Sequence, residues 1–186
     1  MRHINFTARE LAVCAVFGAA IFLISFTLGQ FLVAATGIPM IGGLAHVIFD
    51  AAILVVGAML VRKSGVATII LVIDGILAVP TASAGPPGIY KIGVMLLVGL
   101  VFELVLIITQ RKKVGYVLAP VLSLPLSVPV MYFFLTVLSL PGAEKLQSAM
   151  AFFMIAYIVL AAIGAALGLW IFGKIKDRSF VRQIQR

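Results

Sequence analysis

The sequence predicts an all-α integral membrane protein: a bundle of six transmembrane helices, N-in and C-in. Three observations predict it. The chain of 186 residues is 63% hydrophobic and 11% charged, against about 45–50% and about 25% in a soluble domain. Its apolar residues gather in six runs, near 8–35, 41–61, 66–80, 89–110, 114–138 and 146–173. Its basic residues gather between those runs, almost all on one side. Little chain is left over for anything soluble, so residues 1–186 read as a single six-helix membrane domain.

A helix needs about 20 residues to cross a ~30 Å hydrocarbon core. Five of the runs reach that length, and 66–80 falls short unless it continues into the connection that follows. The first run is too long for the apolar region of a signal peptide, about 7–15 residues, and reads as a retained helix. If the N-terminus is cytoplasmic, so are Arg2, Arg9, Arg62, Lys63, Arg111, Lys112, Lys113, Lys174, Lys176, Arg178, Arg182 and Arg186, twelve of the fourteen Lys and Arg. Only Lys91 and Lys145 fall outside. The positive-inside rule then places both termini in the cytoplasm of a multi-pass protein of the cell membrane. The net charge of +8 is thus a topology signal, with anionic membrane lipid as its partner. Nucleic acid is not an expected partner.

The cytoplasmic connections are tight, "RKSG" (62–65) and "QRKKVG" (110–115). The outer ones, "ATGIPMIGG" (35–43), "PTASAGPPG" (80–88) and "LSLPGAEK" (138–145), are irregular. Irregular backbone at membrane depth survives only where protein or water satisfies it. A ligand site therefore belongs toward the outer side. The fifth run carries Pro120, Pro125 and Pro129, and interior prolines predict a distorted helix that can line a cavity.

Two runs carry small residues at helical spacing. Ala8, Ala12, Ala15 and Ala19 share one stripe of the first helix. Small residues let helices approach closely in lipid, so this stripe either packs inside the chain or docks a second membrane protein. Ala161 with Ala165, and Gly164 with Gly168, repeat the pattern in the last helix, where internal packing is the favoured reading.

Charge in lipid is costly, roughly 2.5–3.5 kcal/mol for a central Asp or Lys. Asp50, Asp74 and Glu103 nevertheless interrupt apolar runs, with His46 and Lys91 nearer the outer ends. His46 and Asp50 are one helical turn apart and can pair. Lys91 and Glu103 are about 18 Å apart along one helix and cannot. Either these groups fix helix order as internal pairs, or some face a water-filled pocket. Three acids against one nearby lysine favour a cationic or donor-rich ligand, unless burial protonates one of them.

Catalytic motifs are missing. "GLWIFGK" (168–174) begins like a phosphate-binding loop, but Ile175 stands where Ser or Thr is required. His3 and His46 are too few for a His-rich metal site, and the lone Cys14 offers no intrachain disulfide. No nucleophile is paired with a base. The sequence nominates no enzyme, cofactor or metal.

The chain resembles the substrate-binding S components of energy-coupling factor (ECF) vitamin transporters. The resemblance runs over nearly the whole length. It rests on the six runs, the basic cytoplasmic side, "AVCAVFGAA" in the first helix, "VRKSG" after the second and "SAGPPGIYKIGVMLLVGLVFE" around the fourth. It implies capture of a small water-soluble vitamin or precursor from outside. A separate transmembrane coupling subunit and two ATPase subunits would power uptake. The alanine-x-x-x-alanine motif of the family falls on Ala15 and Ala19, with Ala12 beside it, as the partner interface. The acids resemble those of members that bind thiamine or its pyrimidine precursor. The substrate-binding candidates are then Asp74, Glu103, Lys91, His46 and Asp50, with Tyr90, Tyr132 and Tyr157 as aromatic neighbours and Phe133 beside them. Trp170 reads as an interface anchor. Two other classes remain open: a proton- or cation-coupled secondary transporter using Asp50, Asp74 and Glu103 as a relay, and a non-transporting membrane scaffold.

Overall fold

A computed structural model describes residues 6–36, 41–82 and 85–184. Arg2, His3, Arg186 and parts of the connections at 35–43 and 80–88 lie outside the described residues. Among the described residues the regular structure is all helical: α1 (Ala8–Thr36), α2 (Ile41–Val61), α3 (Val66–Ala78), α4 (Tyr90–Ile108), α5 (Lys113–Ser123), α6 (Ser127–Val137), α7 (Ala143–Ile175) and α8 (Ser179–Ile184). Five stretches are long and apolar enough to cross a membrane: Ala8–Leu32, Gly42–Val61, Tyr90–Ile108, Lys113–Val137 and Ala143–Ile175. The apolar α3 is shorter, at 13 residues. The chain is a multi-pass membrane protein.

The fifth apolar run is broken where its prolines predict. Residues 124–126 form a tight turn between α5 and α6, with Ser127 N donating to Leu124 O and Val128 N to Pro125 O. Pro125 sits in that turn, where its missing N–H costs least. Pro129 is the third residue of α6, again among positions with no partner in their own helix.

The centre of the bundle is α2, whose Val47, Ala51, Leu54, Val55 and Ala58 are at most 1% exposed. It packs against α1 on one side and α7 on the other, while α3 packs against α4 and α1. Glycines on α7 set the closest approach. A Cβ on Gly164 would collide with Ile48 O, and one on Gly168 would lie 2.7 Å from Ala52 O. Ala161, Gly164, Ala165 and Gly168 are all buried. The last helix thus spends its small residues inside the chain. On α1 the stripe behaves differently: Ala8, Ala12 and Ala15 are exposed and Ala19 is half-buried. Gly18, about a quarter-turn round α1 from the stripe, is the residue that meets Ile70 O of α3.

Both described termini lie at one end of the bundle, with the basic connections. Glu10 accepts from Lys63 Nζ at 2.7 Å, and Val181 of α8 packs with Val56 and Leu60 of α2. Thr7 and Glu10 form a reciprocal cap on α1: Thr7 N donates to Glu10 Oε2 at 2.6 Å, and Glu10 N donates to Thr7 Oγ1 at 3.3 Å. This basic end lies opposite the start of α2, the end of α3 and the start of α4.

Thirteen residues of helix extend only about 20 Å, less than the ~30 Å hydrocarbon core. Helix ends leave backbone groups unmet, and lipid cannot satisfy them. The neighbouring α4 supplies both remedies. Ala67 N, in the first turn of α3, donates to Glu103 Oε1 at 2.9 Å. At the other end, Lys91 Nζ donates to Ala78 O at 3.1 Å and to Thr81 O at 2.7 Å. The acid sits at the positive end of the helix dipole and the lysine at the negative end. The distance from Lys91 to Glu103 along α4 therefore matches the length of the short helix they cap.

Candidate functional site

Four of the charged or titratable candidates from the sequence converge at the end opposite the basic connections. The first turns of α2 bring His46 and Asp50 there. One helical turn separates them, and His46 Nδ1 lies 2.5 Å from Asp50 Oδ2. From the second half of α3 comes Asp74, 3% exposed, and from the start of α4 comes Lys91, 2% exposed. Asp74 is near enough to feel the charges of Asp50, His46 and Lys91. Gly75 lets α3 close on α4, since a Cβ there would stand 3.2 Å from Lys91 O.

These groups border a narrow cleft lined by Ser25, His46, Asp74, Ala78, Lys91, Val94, Met95 and Met131. In this conformation it has room for about one water molecule. The lining mixes polar groups with Val94 and two methionines, whose flexible thioethers adapt to irregular shapes. Two carboxylate oxygens at this end, Asp50 Oδ1 and Asp74 Oδ1, are buried without a hydrogen-bond partner. Leaving a buried acceptor unmet costs about 1–3 kcal/mol. Of these two acids, Asp74 lines the cleft.

The connection after α3 is tied down beside the cleft. Gly88 N donates to Val79 O at 3.0 Å. The Tyr90 hydroxyl donates to Pro86 O at 2.7 Å, and its ring lies 6.3 Å from that of Phe134. Lys91 holds Thr81 O from below, as described.

The structure places the other candidates as follows. Glu103 does not join the cluster. It lies at the basic end, where it caps α3 and accepts from Arg111 Nη2 at 3.1 Å. Lys91 borders the cleft, but it donates to the carbonyls that end α3. Tyr90 is buried, with its hydroxyl directed at the backbone. Phe133 is 59% exposed on the outer surface, and its neighbour Phe134 faces Tyr90 instead. Tyr132 is half-buried against the core rather than on the cleft wall. Tyr157 donates to Gly43 O at 3.3 Å, and it feels the charge of Asp50. Trp170 is exposed toward the basic end, with Lys174 Nζ 5.9 Å from the centre of its ring.

Sequence reasoning missed Ser25, Val94, Met95 and Met131. Ser25 had a signal, as a polar residue in a long apolar helix. The others had none, because apolar residues in a membrane helix look alike until their neighbours are known. Also missed was Glu10, although its Thr-x-x-Glu spacing is the signature of a helix N-terminus.

No family model matches the chain, and no curated protein matches it. Among solved structures, a crystal structure of an S-component of an ECF transporter matches with a TM-score of 0.65. The match covers 96% of this chain and 90% of that one, at 17% sequence identity. The chain therefore has the fold of that S-component, and at this identity the likeness speaks for the fold alone.

Proposed function

We propose that this chain is the substrate-capturing S component of an ECF-type importer. It binds a small water-soluble vitamin or precursor from outside the cell, with thiamine or its pyrimidine precursor the first solutes to try. A transmembrane coupling subunit and two ATPases power the uptake. The reading makes the chain a binder, not an enzyme. The observation that carries it is the fold likeness over nearly the whole chain.

Two further features support the reading. The exposed Ala12 and Ala15, with Ala19 beside them, leave a smooth strip on α1 against which another membrane helix can pack closely. The cleft lies at the end with few basic residues, which the positive-inside rule assigns to the outside. The relay of the rival secondary transporter needs Asp50, Asp74 and Glu103 in one path. Glu103 is instead held by Arg111 and Ala67 at the far end of α4.

Native mass spectrometry of the gently purified protein tests the capture reading, with a bound small molecule as the expected result. Uptake that proceeds without any coupling subunit or ATPase would sink it. Topology has its own test. A cysteine at Gly142 should react with an impermeant reagent added to intact cells, and one at Ser64 should not. Labelling at Ser64 would invert the orientation.

A further inference from the structure

We propose that α6 is a hinged wall of the cleft: it turns about residues 124–126 to admit a solute, and Phe134 packed on Gly93 and Tyr90 holds it shut. This rests on the reading of the chain as a solute-capturing subunit and names the part of it that moves.

The need for motion comes from size. The cleft has room for about one water molecule in this conformation, so a vitamin-sized solute enters only after a wall gives way. Helices α1, α2, α3, α4 and α6 each contribute to the lining. The first four are fixed to one another by close backbone approach or by capping. A Cβ on Gly42 would stand 2.9 Å from Gly29 Cα, which sets α2 on α1, and Gly18 sets α1 on α3. Gly75 sets α3 on α4, and Lys91 and Glu103 bind α4 to both ends of α3. The wall that α6 supplies through Met131 is attached differently. Only Val128 and Leu135 of its 11 residues are buried, and its Phe134 ring rests on α4. That ring lies 6.3 Å from the Tyr90 ring, and a Cβ on Gly93 would stand 3.2 Å from Phe134 Cζ.

The joint between α5 and α6 is a weak point in the backbone. Leu126 N donates to Ser123 O, Ser127 N to Leu124 O and Val128 N to Pro125 O. Three consecutive bonds spanning three residues make a short 3₁₀ stretch between two α-helical segments, a feature that often marks a functional hinge. The α-helical ladder resumes with Val130 N on Leu126 O. Pro125 and Pro129 have no N–H to give, so two ladder bonds that would stiffen the joint cannot form. Ser123 Oγ, in the last turn of α5, is buried with no hydrogen-bond partner among the described residues. Hinges are a few element-terminal residues that absorb a backbone change, and residues 124–126 fit that description. Met131 lies about 7.5 Å further along the helix, so a rotation at the joint carries it away from the cleft.

The test uses Val94→Cys in purified protein in lipid nanodiscs, because Val94 lines the cleft and is 1% exposed. A small methanethiosulfonate reagent is added, and the rate of modification at each thiol is read by peptide mass spectrometry. Native Cys14 is fully buried and stays in every variant as the control for general loosening. The expected result is slow modification at position 94. Phe134→Ala removes the latch and should quicken it roughly 2- to 10-fold. Pro129→Ala gives the joint a new donor and should slow it by a similar factor. Cys14 should keep its rate throughout. The proposal is overturned if position 94 goes unmodified in every folded variant, if either substitution leaves its rate unchanged or shifts it the other way, or if Cys14 quickens along with it. Should Phe134→Ala not fold, Pro129→Ala decides by itself. These rates need no solute, so a fixed α6 rejects the hinge and spares the capture reading. Uptake without any coupling subunit or ATPase rejects the capture reading and leaves the rates as measured.

Discussion

At the basic end of the bundle, Glu103 is shared between Ala67 N and Arg111, and Glu10 between Thr7 N and Lys63. At the opposite end, Asp50 and Asp74 each keep one buried oxygen with no partner. All four acids are buried in apolar helices, and by composition they look alike. Their surroundings separate them. An acid whose partners are complete joins helices together: Glu103 links α3 to α4, and Glu10 links α1 to the connection after α2. An acid left incomplete lowers the stability of the empty protein, and such conflicts are expected at functional sites. On the proposed reading, the acids of the basic end are architecture and those of the opposite end are available to a solute.

The harshest challenge to that contrast is Glu103→Leu. It strands Arg111 and Ala67 N together, and breaking a buried pair costs about 3 kcal/mol or more. Unfolding measured in detergent should show a loss of that order, while the affinity of the folded fraction for solute stays as in wild type. A stable variant that no longer binds would end the division between the two ends.

Asp74→Asn should do the reverse. If Asp74 holds the solute, losing that charge-assisted bond lowers affinity by about 1.5–3 kcal/mol, or roughly 10–150-fold. The unfolding temperature of the empty protein should hardly move. Asp50→Asn sharpens the comparison, because Asp50 is half committed to His46. Part of its effect should appear as lost stability, and an effect confined to affinity would make it a second ligand group instead.

Lys91→Met tests whether the lysine serves the helix end or the solute. Two carbonyls, Ala78 O and Thr81 O, lose a donor, at a cost of about 1–3 kcal/mol. Hydrogen exchange should quicken at the end of α3 and in the connection after it. Unchanged exchange with weakened binding would return Lys91 to the list of solute contacts.

The smallest effect on stability is expected for Ala15→Leu. The side chain points outward, so the isolated protein should unfold as before and bind solute as before. Assembly with a coupling subunit should weaken, because the added bulk holds the helices apart. Normal co-purification of this variant would leave the exposed stripe facing lipid only.

Much of the fold was legible because it is local. The hydropathy runs locate the helices to within a few residues, as at Ile41–Val61. The prolines announce the break before α6. His46 and Asp50 are paired by helical spacing alone, since four residues on a helix always meet on one face. The cleft was legible only in part. Asp74 stood out because a carboxylate in an apolar run is costly wherever it lies, but nothing local said whether its partner was a lysine, a backbone amide or a solute.

What the sequence by itself determined was therefore the membrane setting, the helices, the basic asymmetry and the contacts within one helical turn. Burial cost and helical periodicity act at short range, so they are written in neighbouring residues. The tertiary structure decided which face of each helix found protein and which was left open. It turned the small residues of α7 inward against α2 and left those of α1 on the surface, although both stripes have the same spacing. It assigned Glu103 and Lys91 to the two ends of a helix too short for the membrane, and it left Asp74 facing a cleft. In lipid, one apolar face is nearly as good as another. The choice among them rests on shape and on polar groups brought together from distant parts of the chain.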